Sequence, residues 1–224
     1  MYKVKCKLVN FEGDVQNFPC HFGYVIGDEI YYDGVNFTGK ICPHLIVQMM
    51  PVVYYVHLLG YNSSKSVPFR YRGPDVRDPS MAKYDGVGWR PLKAASEPPQ
   101  EKSKALSQAP KPAKVGGAHF LCGDSRTLAH FTCEPVDLSD SEYCQPFYRR
   151  AVSLLEKIER EPGIETGAII SRFSDFQRNE ISPPLTPAFI DVLLAALADM
   201  DYIVIEEGKA RATGRQPPSR PKIG

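Results

Sequence analysis

Apolar and polar side chains alternate along the opening of the chain. Tyr2, Val4, Cys6 and Leu8 fall on one face, and Lys3, Lys5 and Lys7 on the other. A period of two over that length predicts a half-buried strand with a solvated lysine row. A loop through Gly13, Pro19 and Cys20 follows, and residues 24–32 read as a second pair of strands split at Gly27-Asp28. Residues 45–59 are apolar almost throughout and predict a helix. Pro43 suits its first turn, Pro51 bends or interrupts it, and Gly60 stops it. Residues 61–93 are polar, rich in Pro, Gly and Arg, and carry the only tryptophan, Trp89. They read as irregular loops with one strand at most.

Helical spacing takes over from residue 145. Phe147, Ala151, Leu154, Leu155 and Ile158 line one face of a first helix, with Glu156, Lys157, Glu159 and Arg160 outside. Residues 164–176 predict a second helix with Ile169, Ile170 and Phe173 inward. Thr186 caps a third, Pro187 takes its first position, and Phe189, Ile190, Leu193, Leu194, Leu197 and Met200 form its inner face. Residues 202–213 read as a short hairpin turning at Gly208. The expected architecture is therefore an α+β N-terminal domain (1–93), a Pro/Lys/Ala-rich linker (94–117), a Cys/His connector (118–144), a winged helix of three helices plus a β-hairpin (145–215) and a basic tail (216–224). The linker carries Pro98, Pro99, Pro110 and Pro112 and almost nothing large and apolar, the composition of an extended tether.

Composition narrows the class. Of 224 residues 43% are hydrophobic and 24% charged, which permits a buried core. A net charge of +1 lacks the basic footprint of a general nucleic-acid binder. The apolar run at 45–59 is too short, and too interrupted by Gln48, Pro51 and His57, to span a bilayer. No apolar leader precedes the first strand, so the expected location is cytoplasmic, with no membrane partner. In that compartment cysteines are expected free, metal-bound or redox-active.

The chemistry is concentrated. All six cysteines and five histidines fall in two stretches, Cys6 to His57 and His119 to Cys144, and the last 80 residues contain none. Cys20 sits beside His21 in a turn, and Cys42 precedes Pro43 at a helix start, two before His44. A helix N-terminus favours a thiolate, so Cys20, Cys42 and the neighbouring imidazoles are candidates for a mononuclear metal site. In the second stretch His119-Phe-Leu-Cys122 recurs as His130-Phe-Thr-Cys133, and Cys144 follows after another eleven residues. Read as knuckles, His119, Cys122, His130 and Cys133 are a complete tetrahedral set for zinc. Three cysteines with a further ligand would instead hold an iron–sulfur cluster. Cys6, on the apolar face of a strand, is assigned to the core. Phosphate-binding loops, G-x-S-x-G and H-E-x-x-H are missing. The third helix of the C-terminal part offers no Lys, Arg, Asn or Gln outside its apolar stripe, which argues against a base-reading helix.

The opening Tyr2-Lys-Val-Lys, Cys20, the Gly27-Asp28 turn, Gly39-x-x-Cys42-Pro43, Pro51 within the helix and Gly60 at its close agree in residue type and spacing with one known pattern. Over residues 1–60, and less closely to 93, the chain resembles an uncharacterised family of small, sometimes tandem, two-cysteine domains from anaerobic bacteria and archaea. The resemblance implies that Cys20 and Cys42 are the recurrent pair. Gly60-Tyr61 departs from the family's repeated glycine after the helix, and residues 61–93 match its last strand poorly. Taken together, the expected function is a metal- or iron–sulfur-binding accessory protein, or small subunit of a larger anaerobic redox enzyme, docking to protein through its winged helix. The alternative is a thiol- or metal-responsive winged-helix transcription regulator. An independent enzyme with Cys42 as nucleophile ranks third, because no base–orienter pair is visible.

Overall fold

A computed structural model describes residues 1–63 and 118–218. The linker, most of the loop region before it including Trp89, and the end of the basic tail with Arg220 and Lys222 lie outside the described residues. What is described forms a single compact unit of mixed α and β structure. Its N-terminal strands are β1 (Tyr2–Phe11), β2 (Glu29–Tyr32) and β3 (Phe37–Gly39), followed by helix α1 (Pro43–Leu59). After the linker come β4 (Ala118–Leu121) and β5 (Ala129–Leu138). The expected connector is thus a hairpin. It completes a five-stranded antiparallel sheet of order β3-β2-β1-β5-β4.

β1 is the central strand, and its alternation fixes both faces. Val4, Cys6 and Leu8 are buried under α1 with Ile30, Phe131 and Cys133, while Lys3, Lys5 and Lys7 face the other way. Lys5 pairs with Glu134 at 2.6 Å and Lys3 with Asp140 at 2.7 Å across that outer face. β5 passes through Pro135, which has no N–H for the ladder; the register slips there, between Lys3 and Val4 of the partner strand. α1 runs unbroken through Pro51. Leu45, Met49, Val53 and Val56 on its inner face are all buried against the sheet, and that burial offsets the roughly 3 kcal/mol an interior proline costs. Only one strand, β2, forms where two were expected, because residues 24–28 are committed to a turn closed by Asp28 Oδ2 on the Val25 N–H at 3.0 Å.

The C-terminal part contains α2 (Gln145–Arg160), the short strand β6 (Ile164–Glu165), a 3-10 helix (Thr166–Arg172), a single π turn (Phe176–Glu180), α3 (Pro187–Asp199) and the hairpin strands β7 (Ile203–Glu206) and β8 (Lys209–Ala212). Thr186 Oγ1 accepts the Phe189 N–H at 3.2 Å at the start of α3. Glu207 and Gly208, both at positive φ, make the tight turn. The second helix expected over 164–176 is replaced by β6 and the 3-10 turn, since Ile164 pairs with Ala210 in a three-stranded sheet of order β6-β8-β7. Ile169 and Phe173 are buried nonetheless. Arg150, on the inner face of α2, donates to the carbonyls of Pro183 at 2.9 Å, Gln177 at 2.7 Å and Ile181, and so pins residues 177–183. Among the described residues no helix is long and apolar enough to cross a membrane.

Polar contacts join the sheet to these helices. Tyr202 donates to Asp137 at 2.5 Å and Tyr2 to Asp199 at 3.2 Å. The carbonyl of Tyr2 lies 2.6 Å from Nδ1 of His57, so that nitrogen carries the proton. Nε2 of His57 then faces the Cys144 thiol at 3.6 Å, both residues being fully buried. Gly34, at φ +103°, closes over this pair; a methyl there would stand 2.7 Å from the imidazole and 2.8 Å from the sulfur. Gly34→Ala is expected to cost roughly 3 kcal/mol in urea unfolding, from backbone strain and overpacking together. Gly27→Ala, at φ +99° in open space, should lose only the strain part. Equal losses for the two would contradict this packing.

A thiol cluster at the start of α1

Three segments are tied together where α1 begins. The loop after β1 is held by the β4–β5 loop through Gly13 N–H to Thr127 O at 3.1 Å and Asp14 N–H to Arg126 O at 2.9 Å. At Gly13 the backbones approach so closely that a Cβ would lie 2.1 Å from the Arg126 oxygen. The same loop carries Cys20, whose carbonyl accepts the Gly23 N–H at 2.8 Å. Tyr24 then binds this loop to the helix start: its hydroxyl donates to Lys40 O at 2.7 Å and accepts the Cys42 N–H at 3.0 Å. Lys40 returns to Gly23 O at 2.6 Å, its ammonium over the Phe22 and Tyr24 rings. Cys42 is the N-cap of α1, with Pro43 inside the first turn. Cys122 follows β4 directly, its N–H bonded to Ala129 O at 2.8 Å.

The Cys42 backbone is bonded to this phenol, and the thiols of Cys20, Cys42 and Cys122 lie within electrostatic reach of it. Burial pushes the Tyr24 hydroxyl up to about 12; the Cys42 N–H acts against that rise, and the thiols of Cys42, Cys20 and Cys122 reinforce it. Burial likewise raises the Cys122 thiol; the Asp124 N–H opposes it, while Cys42, Asp124 and Cys20 add to it. Beside the thiols opens a shallow cleft of about 310 Å³ lined by His21, His44, Gly123, Asp124, Ser125 and Arg126. His44 lies over Gly123, its Nε2 3.7 Å from where a Cβ would stand. Asp124 accepts the Arg126 N–H and Nε, both at 3.1 Å, and is held below the usual carboxylate range by those bonds. The two Cys/His stretches of the sequence meet here in space.

The other expected ligands go elsewhere, for a geometric reason. His119 and Cys122, like His130 and Cys133, are three apart, and along an extended chain such pairs point to opposite faces. The set His119, Cys122, His130 and Cys133 is accordingly split. His119 and His130 bond each other on the outer face of the sheet at 3.2 Å. Cys133 stands directly across from Cys6 under α1, the sulfurs 2.8 Å apart, and burial drives its thiol far above the ordinary range. Cys144 is held by His57. All six cysteines are free thiols, and among the described residues no three metal-binding side chains are gathered closely enough to hold an ion as they stand. The residue that sequence reasoning passed over is His57. Its one visible signal was an imidazole on the apolar side of a helix.

No family model, curated protein or solved structure matches the chain.

Cys20 is only partly buried, whereas the other five thiols are buried. The native protein is expected to take up its first equivalent of iodoacetamide at Cys20, the rest following only on unfolding; peptide mapping that finds Cys122 labelled as fast would contradict the cluster's packing. Burial lowers the His57 pKa below its ordinary 6.5, the Tyr2 carbonyl and Asp33 acting against the shift and the Met1 amino group with it. The unfolded chain therefore takes up a proton that the folded one resists. Stability is complete above about pH 6.5 and falls below it, by at most about 1.4 kcal/mol per pH unit for this group. His119, lowered by burial and by His130, adds to the same slope. His57→Gln should flatten the acid limb of the urea midpoint against pH.

Proposed function

We propose that the chain is a metal-binding accessory protein that holds zinc or an iron–sulfur cluster through Cys20, Cys42 and Cys122, with His44 or His21 from the cleft as a further ligand. One observation carries this reading: three thiols on three separate segments, drawn from both Cys/His stretches, lie within electrostatic reach of one another and of the Tyr24 hydroxyl, beside a helix N-terminus. Three thiolates and an imidazole are a donor set of structural zinc sites, and three thiolates suit a cluster. The positive end of the α1 dipole favours the negative charge such a site accumulates. The bonds of Tyr24 and Lys40 and the close approach at Gly13 hold the segments that carry these thiols together.

The C-terminal part acts in this reading as a winged helix that docks to protein, as a small subunit of a larger redox enzyme would. Support comes from its order of elements, helix, short strand, 3-10 turn, helix and hairpin, with a β6-β8-β7 sheet. The outer stripe of α3 is Ala188, Asp191, Val192 and Ala195, which gives a base edge no donor and a phosphate no cation. A protein surface is the better partner than a DNA groove.

The test is elemental analysis and an absorption spectrum of full-length protein purified without oxygen, or reconstituted with zinc or with ferrous iron and sulfide. One thiolate-ligated metal site per chain is expected, lost in Cys20→Ser and kept in Cys144→Ala. Protein that stays metal-free after reconstitution, or a content indifferent to Cys20→Ser, overturns the proposal. Retardation of DNA with a steep salt dependence would move the C-terminal part to the regulator reading.

A further inference from the structure

The outer face of the sheet carries a second group of ligand-type side chains, separate from the thiols. On the β4–β5 hairpin Leu121 stands opposite His130 and His119 opposite Thr132, so the two imidazoles are diagonal neighbours on one face. Nε2 of His130 lies 3.2 Å from Nδ1 of His119, with ring centroids 5.3 Å apart and planes inclined at 58°. At its other nitrogen, Nδ1, His130 is 3.0 Å from Glu12 Oε1, an oxygen that also accepts from Asn10 Nδ2 at 3.4 Å. An ionised carboxylate only accepts. Nδ1 of His130 therefore holds the proton, and its Nε2 presents a lone pair to His119.

That is the arrangement of a metal-ligating histidine: one nitrogen donates to a carboxylate, which fixes the tautomer and raises the basicity of the other. The spacing agrees. Two nitrogens bound tetrahedrally at about 2.0–2.1 Å stand about 3.3–3.4 Å apart, close to the distance between these two. His119 needs only to pass its proton from Nδ1 to Nε2, with no change in net charge. His130 keeps 27% of its side chain exposed and Glu12 45%, so a hydrated ion can reach the pair.

We infer that His119 Nδ1 and His130 Nε2 form an open two-imidazole site for a borderline divalent cation such as Zn²⁺, Ni²⁺ or Co²⁺, with Glu12 as the outer carboxylate and the remaining positions left to water or an exogenous ligand. Imidazole donors suit these ions and not Mg²⁺ or Ca²⁺. The site is independent of the thiol cluster: Cys122 and Cys133 belong to the opposite face, and either centre can fail without the other.

Cobalt titration of the full chain, apo and oxygen-free, separates the two centres. Thiolate ligation gives intense near-ultraviolet charge transfer, whereas an imidazole-and-water site gives visible d–d bands without it. An equivalent of the second kind is expected, absent in His119→Ala and in His130→Ala and bound roughly 10–100-fold more weakly in Glu12→Gln. As a check that needs no variant to fold, Zn²⁺ added to wild type should shift the ring ¹⁵N resonances of His119 Nδ1 and His130 Nε2. No such equivalent, one that survives either histidine variant, or unmoved ring nitrogens would each reduce the pair to a hydrogen bond between strands and overturn the inference.

Discussion

The pairing of β1 with β5 is the constraint from which the rest follows. Residues 2–11 and 129–138 lie far apart in the chain, yet they form the longest ladder of the sheet, from Tyr2 opposite Leu138 to Phe11 opposite Ala129. A one-residue slip would carry the lysine row inward and expel Val4, Cys6 and Leu8. The buried faces of both strands exclude that. Once the register is set, the end of β1 runs beside residues 126–128 and the Gly13 contact forms, which brings the Cys122 turn to the Cys20 loop. The same register puts Cys6 on Cys133. The Gly13 contact and the Cys6–Cys133 pair are consequences of one strand pairing.

Much of this was legible beforehand, and the reasons differ by element. β1, α1, α2, α3 and the β7–β8 hairpin each carry a periodic apolar stripe and a local stop or cap, so residue spacing alone locates them. β4 and β5 were hidden because their alternating positions are filled by His, Cys, Thr and Glu, which read as chemistry before they read as strand. Pro135 lies inside β5 without an N–H for the ladder, and the register slip beside it accommodates that ring. β6 is two residues long and exists through its partner Ala210, a contact no local pattern announces.

Legibility of the site followed the same division. Cys20 and Cys42 stood out because turn and helix-start signals are local. Cys122 was singled out too, but in the company of His119, which shares its spacing and not its face. What joins Cys122 to the other two thiols is the long-range contact of two loops. His57 was invisible as a partner of Cys144, because their meeting is a long-range contact between the last turn of α1 and the turn that leads into α2.

Both outermost strands of the five-stranded sheet are short: β3 has three residues and β4 four, against ten in β1 and β5. A long bare margin is a template on which a neighbouring polypeptide can extend the ladder, and margins this brief give it little to bond. Short rims of this kind guard the described sheet against fibril-like stacking.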